Sequence, residues 1–557
     1  MKTAVAEPID FDGELDAERA RSDGRSWGWE AAVLIAAVTV FAVAVANQHS
    51  GHDWGDDFSL YLHQAKSLTN GTARAVLDGN RFTVDNSSWH SFSPYSYPWG
   101  FPLLLAPLYR VFGLDYAVFK VVLAGCLAGS MWFLQRLLAR RMHQLSALMI
   151  MLLIGLSPEY IGWSDTVLSE FPYLLAVFGS LWWMDRLRRQ DQVEGPRWWP
   201  LIVLGLAVGY TYTVRKEGVA LFAALGLMHL AHVIGRLRTS SDERLLRETV
   251  LPSSSDVAGE DAPVPDELAG LGLLRRFRWS RLATPYLVAA LWIVGLQVAL
   301  PNGGYQSFPG TGVGQFKPNV LWYRDILAQQ VGLKKYGMNR LDLFGFETLG
   351  LIALTLVVTL AVIGLLVRSI SALQADAPLI GYFVAVVVIF GITPFHEGRY
   401  LFSITPLLIY FAHQAVVFLA EVLPRPVPAL IAAALIVPLL STNLDAIWRR
   451  TQSTVKYDAV IWGPEFPSSK EMFAEVDQVA GPDDVVAFFR ARLMSFYTER
   501  RALQLTSLAE ISAKADWYAM AKDSTYSQIL ITDADAASAG LTKVWENANW
   551  VLWKVGS

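Results

Sequence analysis

Residues 28–46 read GWEAAVLIAAVTVFAVAVA, an apolar run whose one charge, Glu30, stands at its start. A spanning helix needs roughly 20 predominantly apolar residues, so this stretch predicts a first membrane helix. Similar runs follow near 115–136, 145–163, 167–185, 199–214, 218–235, 284–300, 347–367, 378–394, 400–422 and 427–442. The whole chain shares the bias. Of 557 residues, 53% are hydrophobic and 17% charged, against roughly 25% charged in an ordinary soluble domain. The expectation is a polytopic α-helical membrane protein of about 11 transmembrane helices over 27–442.

Segment 1–26 is polar and carries both charges. No small-residue cleavage site follows the first apolar run, so that run is expected to stay as a helix. Lys and Arg in short loops set orientation. Arg136, Arg140 and Arg141 follow the second span; Arg186, Arg188, Arg189 and Arg197 follow the fourth. Arg236, Arg238, Arg244 and Arg247 follow the sixth, and Arg275, Arg276, Arg278 and Arg281 precede the seventh. If the helices alternate, all four clusters fall on one side, the cytoplasm. The N-terminus is then inside and the tail, 443–557, outside. A net charge of −4 offers no basic footprint for nucleic acid. The single cysteine, Cys126, excludes a disulfide or zinc framework within the chain.

The first outer loop, 47–114, is the longest. Phe58, Tyr61, Leu62, Ala65 and Leu68 recur at helical spacing, which predicts an amphipathic helix lying in the interface. A polar, Ser-rich stretch follows. The apolar run from Tyr97 carries Pro98, Pro102 and Pro107, and is expected to be an interfacial or re-entrant piece packed on protein. Loop 301–346 is Gly-rich and then basic and aromatic, with Trp322, Tyr323, Arg324, Lys334, Lys335 and Tyr336. Inner segment 239–274 lacks periodicity and is expected to be a disordered insertion. In the tail, a helix over 469–479 capped by Ser468 and strands over 484–489, 528–532 and 550–555 predict a small α/β domain.

Four outer turns carry the candidate chemistry. Asp56 and Asp57 begin the first-loop helix; one could serve as a cap, but capping does not call for two. Asp165 and Glu170 lie between the third and fourth spans, where a carboxylate at the membrane is costly and points to function. Arg215 and Lys216, with Glu217, form the outer hairpin between the fifth and sixth spans, against the positive-inside trend. His396, Glu397 and Arg399 form the hairpin before the tenth span, and Arg suits bidentate phosphate binding. A carboxylate can take a proton from an acceptor hydroxyl, and cations can stabilise a departing phosphate. The inventory suits sugar transfer from a lipid-linked phosphate. The alternative is a membrane transporter or lipid flippase for a phosphate-containing substrate, whose sites belong near the bilayer midplane; a third is an idle scaffold using its tail to bind.

Several stretches carry a family resemblance: Gly55-Asp-Asp-Phe-Ser-Leu-Tyr-Leu-His-Gln-Ala65, Tyr97-Pro-Trp-Gly-Phe-Pro-Leu-Leu-Leu-Ala-Pro-Leu-Tyr109, Ser157-Pro158, Ser169-Glu-Phe-Pro-Tyr173, Arg215-Lys-Glu-Gly218 and Arg399-Tyr-Leu. In their order and placement the chain resembles membrane glycosyltransferases of the GT-C fold, in the branch of protein O-mannosyltransferases and the lipid A aminoarabinose transferase. The resemblance covers roughly 28–440. It implies inverting transfer from a polyprenyl-phosphate sugar to a glycan, lipid or protein acceptor, on the outer face of a bacterial plasma membrane. It also implies a catalytic acid in the first loop, where Asp56 and Asp57 both match, and a donor-phosphate cation at Arg399. Some members use a divalent metal and others do not. Lys216 departs from the pattern, since many relatives have Pro there. The spacing from the acidic pair to Tyr61 is one residue longer than in the aminoarabinose branch.

Overall fold

The computed structural model describes residues 27–88, 94–189, 197–250, 278–304, 312–330, 347–394, 396–424, 426–456, 460–523 and 526–556. Segment 1–26, most of the inner insertion, Lys334, Lys335, Tyr336 and Phe395 lie outside them.

The membrane region runs α1 (Trp27–Ala46), α2 (Asp56–Asn70), α3 (Ala73–Asn86), α4 (Gly100–Phe112), α5 (Tyr116–Leu138), α6 (Gln144–Gly155), α7 (Pro158–Trp163), α8 (Glu170–Arg189), α9 (Trp199–Val214), α10 (Ala220–Val250), α11 (Trp279–Ala299), α12 (Phe316–Gln330), α13 (Glu347–Ser371), α14 (Leu373–Ile392), α15 (Thr405–Val422) and α16 (Pro426–Lys456). Among the described residues, 6 helical stretches are long and apolar enough to cross a membrane: α1, α5, α11, α14 and the apolar parts of α10 and α13. The expected spans at 199–214 and 400–422 appear as the shorter apolar helices α9 and α15. The protein is a polytopic helical membrane protein. On α11, Leu287, Leu291, Val294 and Val298 are all more than half exposed. They recur every three or four residues, forming the outward apolar face that a lipid solvent requires.

Several expectations need correction. The span at 145–163 is two helices, because Pro158 lacks an N–H and holds Ser157 extended at ψ 135°. Residues 239–250 continue α10 as helix instead of an irregular insertion. The polar stretch after Asn70 folds as α3, and part of loop 301–346 folds as α12. The first-loop helix α2 does not lie exposed in the interface. Ser59, Leu60, Gln64 and Ser67 are buried along with Phe58, Tyr61, Leu62 and Ala65 of the predicted stripe, because the helix is sandwiched between α4 and the C-terminal domain.

That domain runs α17 (Pro467–Val479), β1 (Val485–Ala487), α18 (Ala491–Thr498), β2 (Arg501–Leu503), α19 (Leu508–Lys514), β3 (Trp517–Ala521), α20 (Asp533–Ser538), β4 (Leu541–Glu546) and β5 (Trp550–Val555). Its 5-stranded sheet has the order β2-β1-β3-β5-β4. β1 is parallel to β2 and β3, and β5 is antiparallel to β3 and β4. Segment 528–532 is not a strand. Gln528 instead uses its side-chain amide on both backbone groups of Ala521, at 3.1 and 2.6 Å. Ser468 does not cap α17; its hydroxyl bonds Asn549 Oδ1 at 2.8 Å.

Helices α13 and α15 cross at Gly364, where an added Cβ would overlap the Phe411 carbonyl. Small residues are what allow such close backbone approach in membranes. Gly364→Val is therefore expected to destabilise the protein by about 1–3 kcal/mol, read as a lower melting temperature in detergent. Gly295→Val serves as control, since no described residue lies within 4 Å of its Cβ position.

Candidate active site

Helix α2 starts after Gly55, which is extended (φ −152°, ψ 144°), and no side chain caps that end. Capping therefore does not account for Asp56 and Asp57. They sit in the first turn, where negative charge offsets the positive helix end. Successive helical residues point about 100° apart, so the neighbours meet different surroundings.

Asp57 faces the membrane region. Its Oδ1 accepts a hydrogen bond from the Tyr97 hydroxyl at 2.6 Å, and its Oδ2 pairs with Arg399 Nη2 at 2.8 Å. Tyr97 is fixed twice over. Its ring stacks on Tyr61 with centroids 4.2 Å apart. Gln64 bonds both its backbone N–H and its carbonyl, each at 3.0 Å. Asp56 faces the C-terminal domain instead. Its Oδ2 is 3.5 Å from Arg490 Nη1, while Oδ1 is buried without a hydrogen-bond partner among the described residues.

From Asp57 the charges alternate. Arg399 Nε lies 3.1 Å from Glu170 Oε1, without a hydrogen-bonding angle. The same oxygen accepts from Arg215 Nη1 at 2.5 Å, and Arg215 Nη2 reaches Glu217 at 3.2 Å. Glu397 is 3.9 Å from Arg399. Separate elements deliver these groups: the start of α2, the 3-10 turn Gly398–Ser403, the start of α8, the end of α9 and the 3-10 turn Lys216–Val219. With Lys216 and Tyr400 they line one cavity of about 500 Å³. A neighbouring cavity of about 250 Å³ shares Tyr97, Pro98 and Lys216 and adds the apolar Trp99, Ile293 and Leu296. Lys216 bridges the two. Its ammonium sits 4.5 Å over the Tyr212 ring and has no carboxylate within ion-pair distance among the described residues.

The electrostatics separate the acidic pair. Burial pushes the Asp57 carboxyl up, but the Arg399 charge and hydrogen bonds from Tyr97 and Arg399 more than offset it, leaving it below the usual carboxylate value. Burial prevails at Asp56, which lies above that value despite Arg490 and Arg492. Burial likewise raises Glu397.

The structure thus brings together Asp57, Glu170, Arg215, Lys216 and Arg399. It does not bring Asp165, His396 or Asp56 into that cavity. Asp165 is enclosed by Lys120 Nζ at 2.7 Å, His49 Nδ1 at 2.7 Å and the His49 N–H at 2.9 Å. It ties the end of α1 to α5. His396 Nε2 bonds Asn319 Oδ1 at 2.5 Å beside Trp322. Tyr97, Gln64 and Arg490 were not singled out from sequence. Tyr97 opens an apolar run in which its ring explains itself, and nothing there announces a hydroxyl used on Asp57.

The cavity carboxylates are matched by guanidiniums. Among the described residues, no group of three or more His, Cys, Asp or Glu side chains could hold a metal ion. These residues do not fit a divalent cation.

No family model matches the chain, and no curated protein matches it. Solved structures similar to it include ArnT from Cupriavidus metallidurans bound to undecaprenyl phosphate. That match is at 13% identity, covering 95% of this chain and 98% of that one, with a TM-score of 0.47. The apo state of the same protein is 12% identical, covering 94% and 97%, with a TM-score of 0.49. The Archaeoglobus fulgidus oligosaccharyltransferase tethered with an acceptor peptide is 13% identical, covering 86% of this chain and 64% of that one, with a TM-score of 0.46.

Helix α8 begins at Glu170, on the cavity, and ends in Asp185, Arg186, Arg188 and Arg189. There Arg140 and Arg141 from the end of α5 both bond Asp185 at 2.7 Å. The arginine clusters after the second and fourth expected spans therefore meet at the end opposite the cavity.

Proposed function

We propose that this chain transfers a sugar from a polyprenyl-phosphate donor to a hydroxyl of a cell-envelope acceptor, with inversion at the anomeric carbon. The setting is the outer face of a bacterial plasma membrane, with the N-terminus cytoplasmic and the C-terminal domain outside. The observation that supports this reading is the Asp57–Arg399 pair, 2.8 Å apart on a cavity shared with Glu170, Arg215 and Lys216.

Arg399 and Arg215 are held by carboxylates. An arriving phosphate competes for them, and Lys216, which has no such partner among the described residues, is its first contact. Once phosphate draws on Arg399, Asp57 loses its main counter-charge and becomes a stronger base. It then takes the proton of the acceptor hydroxyl as that oxygen bonds to the anomeric carbon. The bond from that carbon to the phosphate oxygen breaks, and polyprenyl phosphate leaves on the three cations. Glu170 bridges Arg399 and Arg215 and keeps them aligned.

The test supplies the full chain in nanodiscs with a polyprenyl-phosphate donor carrying labelled sugar and an envelope fraction as acceptor. Label is expected in the acceptor, falling about 10²- to 10³-fold for Arg399→Gln. Saturable uptake into proteoliposomes without a covalent product would overturn the proposal in favour of a transporter.

A further inference from the structure

The segment Ser50–Asp57, which leads into the acidic pair, is gripped along its length by the C-terminal domain. The Ile461 N–H donates to the Ser50 carbonyl at 2.9 Å. Gly463 packs so closely on the His52 carbonyl that an added Cβ would overlap it. The Trp54 ring enters an aromatic pocket of Phe473, Phe488, Phe489, Tyr526 and Trp550, with centroids 5.2 to 6.4 Å away. Two residues on, buried Asp56 meets Arg490, the residue that precedes α18. Further along α2, Lys66 pairs with Glu499 at 2.5 Å.

These contacts come from distant parts of the domain sequence and converge on one short stretch. The geometry points to the C-terminal domain as a clamp that positions Asp57 for the reaction, with Trp54 and Arg490 as its positioning residues. Neither touches the cavity around Asp57. Trp54 fixes the chain just before α2 through burial of its large ring. Arg490 is the cation in ion-pair contact with Asp56; without it the buried carboxylate beside Asp57 keeps only the weaker influence of Arg492. Either loss lets the first turn of α2 shift, and Asp57 moves with it. Tyr97 is held by the later turns of α2, through Tyr61 and Gln64, and Arg399 sits on the turn Gly398–Ser403, so neither follows the first turn. The inference rests on the transferase reading for its consequence, but its geometry is independent of it.

The experiment uses the full chain in nanodiscs, with Arg490→Gln, Arg490→Lys and Trp54→Ala. Two readouts are taken: transfer kinetics, and hydrogen–deuterium exchange across 50–66. Arg490→Gln and Trp54→Ala are expected to lower kcat about ten- to a hundredfold with donor KM little changed, as a displaced catalytic group does. Arg490→Lys is expected to recover most of that loss. Exchange across 50–66 is expected to rise in Trp54→Ala while α10 keeps its protection. Wild-type kcat in both variants, or unchanged exchange across 50–66, would overturn the clamp. If the wild type shows no transfer while exchange still rises, the clamp stands and the transferase reading fails.

Discussion

Asp57→Asn is expected to lower kcat by about 10²- to 10⁴-fold, the range that loss of a general base produces, while Asp56→Asn keeps a measurable rate. Asparagine matches the aspartate in size and can still accept from Tyr97, so the fold around α2 survives and the loss reports the missing base. The two neighbours differ because Asp57 shares a cavity with the cations and Asp56 does not. The pH dependence has a definite sign. Asp57 lies below the usual carboxylate value, so its basic form is present at neutral pH and is lost only as pH falls through that depressed value. Arg399→Gln removes a cation that holds it down and leaves the burial that pushes it up. The acidic limb of the rate profile is then expected to move to higher pH. The measurements are labelled-sugar transfer for both asparagine variants and a rate profile for Arg399→Gln. Full activity in Asp57→Asn, with loss confined to Asp56→Asn, would exchange the two roles.

How much of this was legible in the sequence follows from the range of each interaction. Spans such as α1, α5 and α14 announce themselves because a lipid solvent demands a continuous apolar run, a local property of the chain. The break at Pro158 is local too, but it is easily lost inside a run that hydropathy alone treats as continuous. The burial of α2 on both sides was not legible, because its second partner, α18, lies more than 400 residues away in sequence (Arg490 to Asp56 spans 434). The same distance explains the acidic pair. Two adjacent aspartates look equivalent in sequence, and only Arg399 on one side and Arg490 on the other tell them apart. Asp165 carried a membrane-edge signal as strong as that of Glu170. What separates them is Lys120, 45 residues earlier on α5, which encloses one and not the other.

The same reasoning yields the largest expected effect on stability, at a residue that sequence inspection passes over. Asp376 is fully buried near the start of α14. Arg141 Nε donates to its Oδ1 at 2.7 Å; Arg368 Nε and the Tyr410 hydroxyl donate to its Oδ2 at 2.6 and 2.8 Å. Arg141 also holds Asp185 at 2.7 Å, so the cluster joins the end of α5 to α8, α13, α14 and α15. Burying an ion pair gains little against an apolar replacement, but removing one partner strands the other charge. Asp376→Asn keeps the volume and leaves Arg368 and Arg141 short of a counter-charge, and is expected to cost about 3–5 kcal/mol. The exposed pair Arg74–Asp78 is the contrast: its side chains are 77% and 55% exposed, and Asp78→Asn is expected to cost no more than about 1 kcal/mol. Thermal unfolding in one detergent measures both. Asp376 lies near the start of α14, and Thr393, which follows its last residue, lines the cavity; the two are about 25 Å apart at 1.5 Å per residue. Folded Asp376→Asn is therefore expected to keep its transfer rate per active molecule. An unchanged melting temperature would show that the arginines find other partners, and a rate loss in the folded fraction would show that the two ends of α14 are coupled.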